Sequence, residues 1–339
     1  MSMESAGTRP RVDAIIVNWN GRDFLPRCIA ALRAQTVPTR IVVVDNASTD
    51  GSVDWVRAEA PDAHLVALAE NTGYAAGANA GIRAGDAEFC IILNADVALA
   101  PDHLQVLLSR MDADETVGVA QGKLYRADKF DFVSGNLTPG GPIDSAGHSV
   151  RATGFVVDRG QGDADGPEYG GEREVFSACG AALFLRRKAL EDVAEEGEFF
   201  DEAFFAYKED IDLCWRARLL GWKVLYVPAA VAFHVRGWAG TRLPDRDRVP
   251  VAARRHSWKN HYLLLIKNET PRDLLRTLPA VLGWEILRLG YATLKDRALF
   301  GAYAELFRLL PRALRHRRDV MNRRRGDGAR ISRWLKDAG

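Results

Sequence analysis

The sequence predicts an α/β protein with a mostly parallel central sheet flanked by helices and a helical appendage at its C-terminal end. Three observations predict it. Up to about residue 95, short apolar runs alternate with segments of helical spacing, the pattern of a parallel sheet with right-handed crossovers. From 129 to 172 the chain is rich in Gly, Asp, Pro and Ser, which reads as an excursion over one face of the sheet. From about 250 to 318 apolar residues keep helical spacing, as in Leu274, Leu278, Val281, Leu282, Ile286 and Leu289.

The elements follow in order. Val12-Asp-Ala-Ile-Ile-Val17 is a buried strand, and Phe24, Cys28, Ala31 and Leu32 mark one face of a helix over about 23–34. Arg40-Ile-Val-Val-Val-Asp45 is a second strand, and the turn Ser48-Thr-Asp-Gly-Ser52 caps a helix over 53–59. A third strand spans 64–68. A glycine-spaced helix over 74–84 then leads to the strand Phe89-Cys-Ile-Ile-Leu93, which ends in Asn94-Ala-Asp96. After the excursion, Gly180-Ala-Ala-Leu-Phe-Leu-Arg186 restores order. A helix over 209–220 ends at Gly221, and Trp222-Lys-Val-Leu-Tyr-Val227 and Ala230-Val-Ala-Phe-His234 are short strands. The expected organisation is a disordered 1–11, a domain over 12–249 with a nucleotide-binding half (12–116) and an acceptor and catalytic half (117–249), and a helical region with a basic tail over 250–339.

The 339 residues carry a net charge of +1, so nothing drives the chain globally toward nucleic acid. The charge is uneven, however. Beyond Arg308 come Arg312, Arg315, Arg317, Arg318, Arg323, Arg324, Arg325, Arg330, Arg333 and Lys336, opposed by Asp319, Asp327 and Asp337. The expectation is a basic tail that meets an anionic membrane surface or caps the domain. The 4 cysteines form no CxxC pair and read as buried thiols of a reducing compartment. With no apolar signal core and no run of about 18 apolar residues, a cytoplasmic protein is expected, peripheral at the inner face of the cell membrane.

In open α/β sheets ligands sit at the carboxyl ends of strands. Asp96 is delivered there, placed to hold Mg²⁺ or Mn²⁺ against a diphosphate; a helix cap ahead of Asp102 is its other reading. Asn94 can support the sugar or a metal-bound water. Asp45 can accept the N3–H of uracil or thymine or close an Asx turn, and Asn18 can wall the same base pocket or serve a turn. Asn71, Gly73, Gly77 and Asn79 either bring backbone close to a ribose and diphosphate or pack helix on sheet. The spacing is neither GxGxxG nor a P-loop. Glu209, Asp210 and Asp212 open a helix, either complementing its dipole or supplying a general base. His234 can ligate a metal, and Trp215, Arg216 and Trp238 are candidate acceptor or donor contacts.

Together these segments resemble the family 2 glycosyltransferases, in particular their bacterial rhamnosyltransferase-like branch. The matching stretches are Ile16-Val-Asn-Trp-Asn-Gly21, Val43-Val-Asp-Asn-Ala-Ser-Thr-Asp-Gly51, Asn71-Thr-Gly-Tyr-Ala-Ala-Gly-Ala-Asn79 and Leu93-Asn-Ala-Asp-Val97. Phe200-Asp-Glu-Ala-Phe-Phe-Ala-Tyr-Lys-Glu-Asp-Ile-Asp-Leu213 and Val227-Pro-Ala-Ala-Val-Ala-Phe-His234 complete the set. The resemblance implies a GT-A-type fold and an inverting transfer from a UDP- or dTDP-sugar, with rhamnose the family-level expectation, to a glycan or lipid-diphosphate-linked acceptor in cell-surface polysaccharide assembly. It also implies that Asp45 reads the pyrimidine, Asp96 is the metal carboxylate of a DxD-type motif, Asp210 is the catalytic base and His234 is a second metal ligand. Asn94 departs from the pattern, standing where many members carry the first Asp. A sugar nucleotidyltransferase would show a basic, glycine-rich phosphate loop near its N-terminus, which Asn18-Trp-Asn-Gly21 is not. A nucleotide-sugar-binding protein without turnover is the remaining alternative, and the pairing of Asp96 with Asp210 argues against it.

Overall fold

The computed structural model describes residues 9–151, 153–236, 249–325 and 331–334. The first half runs β1 (Val12–Asn18), α1 (Leu25–Arg33), β2 (Thr39–Asp45), α2 (Ser52–Glu59), β3 (His64–Ala67), α3 (Gly73–Ala84) and β4 (Phe89–Asn94). Its strands pair in parallel in the order β4-β1-β2-β3, with Asn18 opposite Asp45 and Val17 opposite Asn94. That register brings the ends of β1, β2 and β4 to one edge, where Asp96 follows. Strands β1 and β4 are buried on both faces, so they read as continuous apolar runs.

The second half begins with β5 (Val97–Leu99), α4 (His103–Ala113), β6 (Val117–Arg126), α5 (Lys129–Ser134), β7 (Ile143–Ser145), β8 (His148–Val150) and β9 (Val156–Asp158). It continues with β10 (Arg173–Glu174), β11 (Ala182–Arg186), α6 (Arg187–Val193), α7 (Glu209–Leu219) and β12 (Lys223–His234). Strand β11 inserts antiparallel between β4 and β6, so the 10-stranded sheet is parallel over its first half and mixed beyond β4. The two strands expected over 222–234 are one strand, β12, with a register shift between Val227 and Val231. The excursion is not all loop: β7 pairs with β6, and β8 with β9 forms a separate hairpin.

The C-terminal region forms α8 (Val251–Asn268), α9 (Pro271–Leu294), α10 (Phe300–Arg323) and α11 (Ile331–Trp334). It shares a core with the second half, where Leu263, Leu264, Leu306 and Trp334 pack with Phe176, Ile211 and Trp215. Beneath that core lies a buried ion cluster. The Lys267 ammonium is 2.6 Å from Asp201, 3.0 Å from Asp212 and 3.3 Å from Glu195. Three arginines of the expected basic tail are committed to this junction, as the domain-cap reading expects. Arg312 pairs with Glu198, Arg317 donates to the Ile266 and Glu269 carbonyls, and Arg323 donates to the Asp192 carbonyl. At the other terminus Arg11, expected to be disordered, pairs with Glu88 and Asp112. All 4 cysteines are buried.

Candidate active site

Three strand ends and the start of α7 build the site. The sharp turn after β2 is held by the Asp45 carboxylate, which accepts from the Ser48 N–H at 2.8 Å and from Asn18 Nδ2 at 2.8 Å. The Asx-turn reading of Asp45 holds, and the turn fixes a buried carboxylate beside Asn18. The Asn18 Oδ1 is buried without a protein partner and lies against Gly21, where a Cβ would stand 2.5 Å from it.

Asp96 follows β4, and α4 starts well beyond it at His103, so Asp96 is no helix cap. Pairing of β5 with β12 sets His234 opposite Val97 and brings its Nε2 to 3.4 Å from Asp96 Oδ1. The other imidazole nitrogen, Nδ1, lies 2.8 Å from Asp144 Oδ2. Burial opposes protonation of His234, yet its hydrogen bonds to Asp144 and Asp96 raise its pKa to about 9. A carboxylate facing an imidazole nitrogen, with the far ring nitrogen oriented by a second carboxylate, fits a divalent cation once Nε2 gives up its proton, because only the neutral ring is a ligand. Asp144 also accepts from Arg236 Nε at 2.8 Å, and Arg236 bridges to Asp158 at 3.0 Å. Asp158 in turn lies 3.3 Å from His148 Nε2.

The start of α7 reaches the same place. Gly180 N–H donates to Asp210 Oδ2 at 2.7 Å, and a Cβ on Gly180 would stand 3.2 Å from that carboxylate. Gly180 precedes β11, whose neighbouring Ala181 carbonyl binds the Asn94 N–H at 3.1 Å. Asp210 is thus tethered to the strand end that carries Asn94 and Asp96. Tyr74 closes the gap: its hydroxyl donates to the Gly180 carbonyl at 2.7 Å. Burial first, then the charges of Glu209, Asp210, Cys179 and Asp96, push its pKa well up. Glu209 is buried with one carboxylate oxygen unpartnered; burial and then the charge of Asp210 raise its pKa to about 8. Both causes favour its protonated form beside Asp210.

Several expected contacts face elsewhere. Asp212 lies two residues beyond Asp210, on the opposite side of the helix. Its carboxylate is spent on Lys267, on Arg216 at 2.9 Å and on Asn268 at 2.8 Å. Arg216 is fully buried, and Trp215 packs edge-on against Phe176. Asp212 and Trp215 fasten α7 to the C-terminal helices, and Arg216 ties it to the Val193 and Phe199 carbonyls. Asn79 likewise clamps the Phe200 backbone, accepting at 2.9 Å and donating at 2.8 Å, which removes it from the donor. Gly73 is buried at φ +87°, where a Cβ would collide with Phe205, and Gly77 packs on Val17, so glycine here serves the turn and the packing of α3. Asn71 closes that turn by accepting from the Gly73 N–H at 3.0 Å. Trp238 lies outside the described residues.

Two groups of three metal-capable side chains occur among the described residues, and neither is the Asp96–His234 pair. Glu195 and Asp201 pair with Lys267, and His316 meets the same two carboxylates, so their charge is already matched. His148, Cys179 and Asp210 adjoin the active site, but burial and then the charges of Asp158 and Asp210 push the Cys179 thiol well up. A protonated thiol is a poor ligand. Asp144, Tyr74, Arg236, Asp158 and His148 were missed as site residues from the sequence; Asp144 sits in the Gly-Pro-Ile-Asp144 stretch of an excursion with no helical or strand periodicity to orient it.

The family model for glycosyl transferase family 2 matches residues 13–193, which takes in Asn18, Asp45, Asn94 and Asp96 and stops short of Asp210 and His234. The chain belongs to glycosyl transferase family 2. A second model, for glycosyl transferase family group 2, matches residues 148–296. Among curated relatives, the N-acetylglucosaminyl-diphospho-decaprenol L-rhamnosyltransferase of Mycobacterium tuberculosis (strain CDC 1551 / Oshkosh) is 29% identical over 252 residues, covering 68% of this chain and 78% of that protein. The pre-mycofactocin glycosyltransferase of the same organism is 28% identical over 279 residues, covering 80% of this chain and 54% of that protein. The fold is GT-A. GalNAc-T7 with UDP, GalNAc and Mn²⁺ superposes with TM-score 0.57 at 14% identity, covering 77% of this chain and 48% of that one. S. aureus TarS 1–349 in complex with UDP superposes with TM-score 0.55 at 14% identity, covering 97% of this chain and 92% of that one. This family 2 member is a glycosyltransferase.

Proposed function

We propose that this glycosyltransferase moves a sugar, rhamnose as the leading candidate, from a dTDP- or UDP-sugar to a glycan or lipid-diphosphate-linked acceptor with inversion at the anomeric carbon. The observation that carries the reading is the tethering of Asp210, through Gly180, to the strand end bearing Asn94 and Asp96. The rhamnosyl donor and lipid-linked acceptor are supported by the name of the mycobacterial relative, 29% identical to this chain.

In this reading Asp45 and Asn18 hold the pyrimidine, with Asn71 beside the donor at the neighbouring strand end. Asp96 and His234 would hold Mg²⁺ or Mn²⁺, which when bound supplies charge stabilisation to the departing diphosphate. Asn94 supports the sugar. The acceptor hydroxyl attacks from the face opposite the diphosphate, and Asp210 takes its proton as the new C–O bond forms. The bond from the anomeric carbon to the diphosphate oxygen breaks, and its electron pair leaves with the nucleoside diphosphate. One displacement inverts the centre. The Gly180 N–H orients the base. Burial beside Asp210 favours protonated Glu209, which limits negative charge near the leaving group.

The test is Asp210→Asn, assayed for donor binding and for transfer. Binding of the nucleoside diphosphate should persist while turnover falls about 10²–10⁴-fold. Wild-type turnover in the variant would remove Asp210 as the base, and retained anomeric configuration in the wild-type product would remove the single displacement.

A further inference from the structure

The outward face of α9 has no packing partner among the described residues. Its buried stripe is Asp273, Thr277, Val281, Arg288 and Ala292. On the opposite side Leu275, Leu282, Ile286 and Leu289 recur at helical spacing and point to solvent, with Ile286 72% exposed and the terminal Leu294 81% exposed. Between Arg276 and Lys295 the charged residues are Glu285 and Arg288, and both turn inward. Glu285 bonds Tyr262 and Arg288, and Arg288 lies over the Trp258 ring at 3.9 Å. The helix spans 24 residues, about 36 Å at 1.5 Å per residue. An uncharged apolar strip of that length is unlike an ordinary solvated surface.

Its surroundings select the occupant. Arg272 and Arg276 are exposed at one end of the strip, and Lys295 and Arg297 at the other. From Arg272 through Arg318 every exposed ionisable side chain is a lysine or arginine, because Asp273 and Asp296 are buried and Glu285 and Glu305 are partly buried in bonds to neighbours. An apolar strip bounded by cations complements an anionic lipid surface: the side chains enter the acyl boundary and the bases meet the headgroups. A second copy packed two-fold on this face would oppose its own cations. No helix among the described residues is long and apolar enough to cross a membrane.

We infer that α9 lies in the plane of an anionic bilayer and docks the enzyme there through Leu275, Leu282, Ile286 and Leu289. The anchor is therefore this helix rather than the arginines of the chain end, several of which serve the domain junction. The strip is mechanically joined to the active site. Phe155, in the β8–β9 hairpin, stacks on His261 of α8 at 4.2 Å and meets Trp284 of α9 edge-on at 5.6 Å. The same hairpin carries His148 and Asp158. Docking would therefore fix the acceptor side of the site at the lipid surface, and this purpose rests on the proposed lipid-linked acceptor.

The test is vesicle flotation of the full chain with phosphatidylcholine alone and with added phosphatidylglycerol, beside light scattering to read oligomeric state. Wild type should float with the anionic vesicles. Leu282→Asn with Ile286→Asn should weaken binding roughly tenfold or more, and Arg272→Gln with Arg276→Gln on the order of tenfold, on anionic vesicles only. Both double variants alter exposed positions, and their binding of a nucleoside diphosphate should match wild type. Wild type that floats with neither vesicle, or an asparagine variant that floats as well as wild type, would overturn the inference. So would a wild-type dimer that the asparagine variant splits without any change in flotation. The readout needs no turnover, so its failure would leave the transferase reading standing.

Discussion

Asp144→Asn tests the donor set at Asp96 and His234 from outside it. Asp144 is 1% exposed and holds His234 Nδ1 at 2.8 Å and Arg236 Nε at 2.8 Å. The substitution keeps the shape and removes the charge. An imidazole loses the partner that fixes its ring and raises its basicity, a change that costs metal sites about 10–100-fold in affinity, or about 1.4–2.7 kcal/mol. The Arg236 cation, left with Asp158 alone, pushes the same way against a dication. The assay is a Mn²⁺ titration in saturating nucleoside diphosphate, with free ion followed by electron paramagnetic resonance and folding followed by circular dichroism. Asp158→Asn is the control, since Asp158 contacts Arg236 and His148 but not His234, and it should change affinity less. A folded Asp144→Asn protein with Mn²⁺ affinity within about twofold of wild type would refute the reasoning.

Two stability predictions follow from buried charge. The Glu209 pKa rises from 4.5 to about 8 on folding, so the folded state keeps a proton that the unfolded chain has lost in that window. Wild-type melting temperature should therefore fall as pH climbs from about 4.5 to about 8, and Glu209→Gln should flatten that slope; equal slopes in the two proteins would contradict the assignment. Lys267→Met strands Asp201, Asp212 and Glu195 without their shared cation and should cost about 3–5 kcal/mol in urea unfolding. A loss below about 1 kcal/mol would mean that the cluster does not fasten the C-terminal helices.

The nucleotide-binding half was readable because it obeys simple periodicities. Strands buried on both faces give unbroken apolar runs, and each ends at a polar residue, so Asn18, Asp45 and Asp96 could be placed at one edge before any coordinates. The second half hides its contacts. Asp210 and Asp212 belong to one acidic motif, yet helical geometry sends the first to Gly180 and the second to Lys267. Nothing local to the motif says which carboxylate faces the site. Asn79 looks like a donor contact until the Phe200 backbone, 121 residues away, takes both ends of its amide. The Arg312, Arg317 and Arg323 side chains read as a free basic tail because their partners, a carboxylate and backbone carbonyls, lie far off in sequence or leave no trace in it. Asp144 was silent for the same reason: its importance comes from meeting β12, a pairing set by tertiary structure.

The most direct test of the central claim is calorimetric titration of dTDP, UDP, GDP and ADP into wild type and Asp96→Ala, each with Mn²⁺ and with a chelator. The account predicts binding of dTDP or UDP that requires the metal, weak binding of the purine nucleotides, and loss of the metal-dependent part in Asp96→Ala. Binding that is as tight with the chelator, that prefers a purine, or that survives unchanged in Asp96→Ala would contradict it.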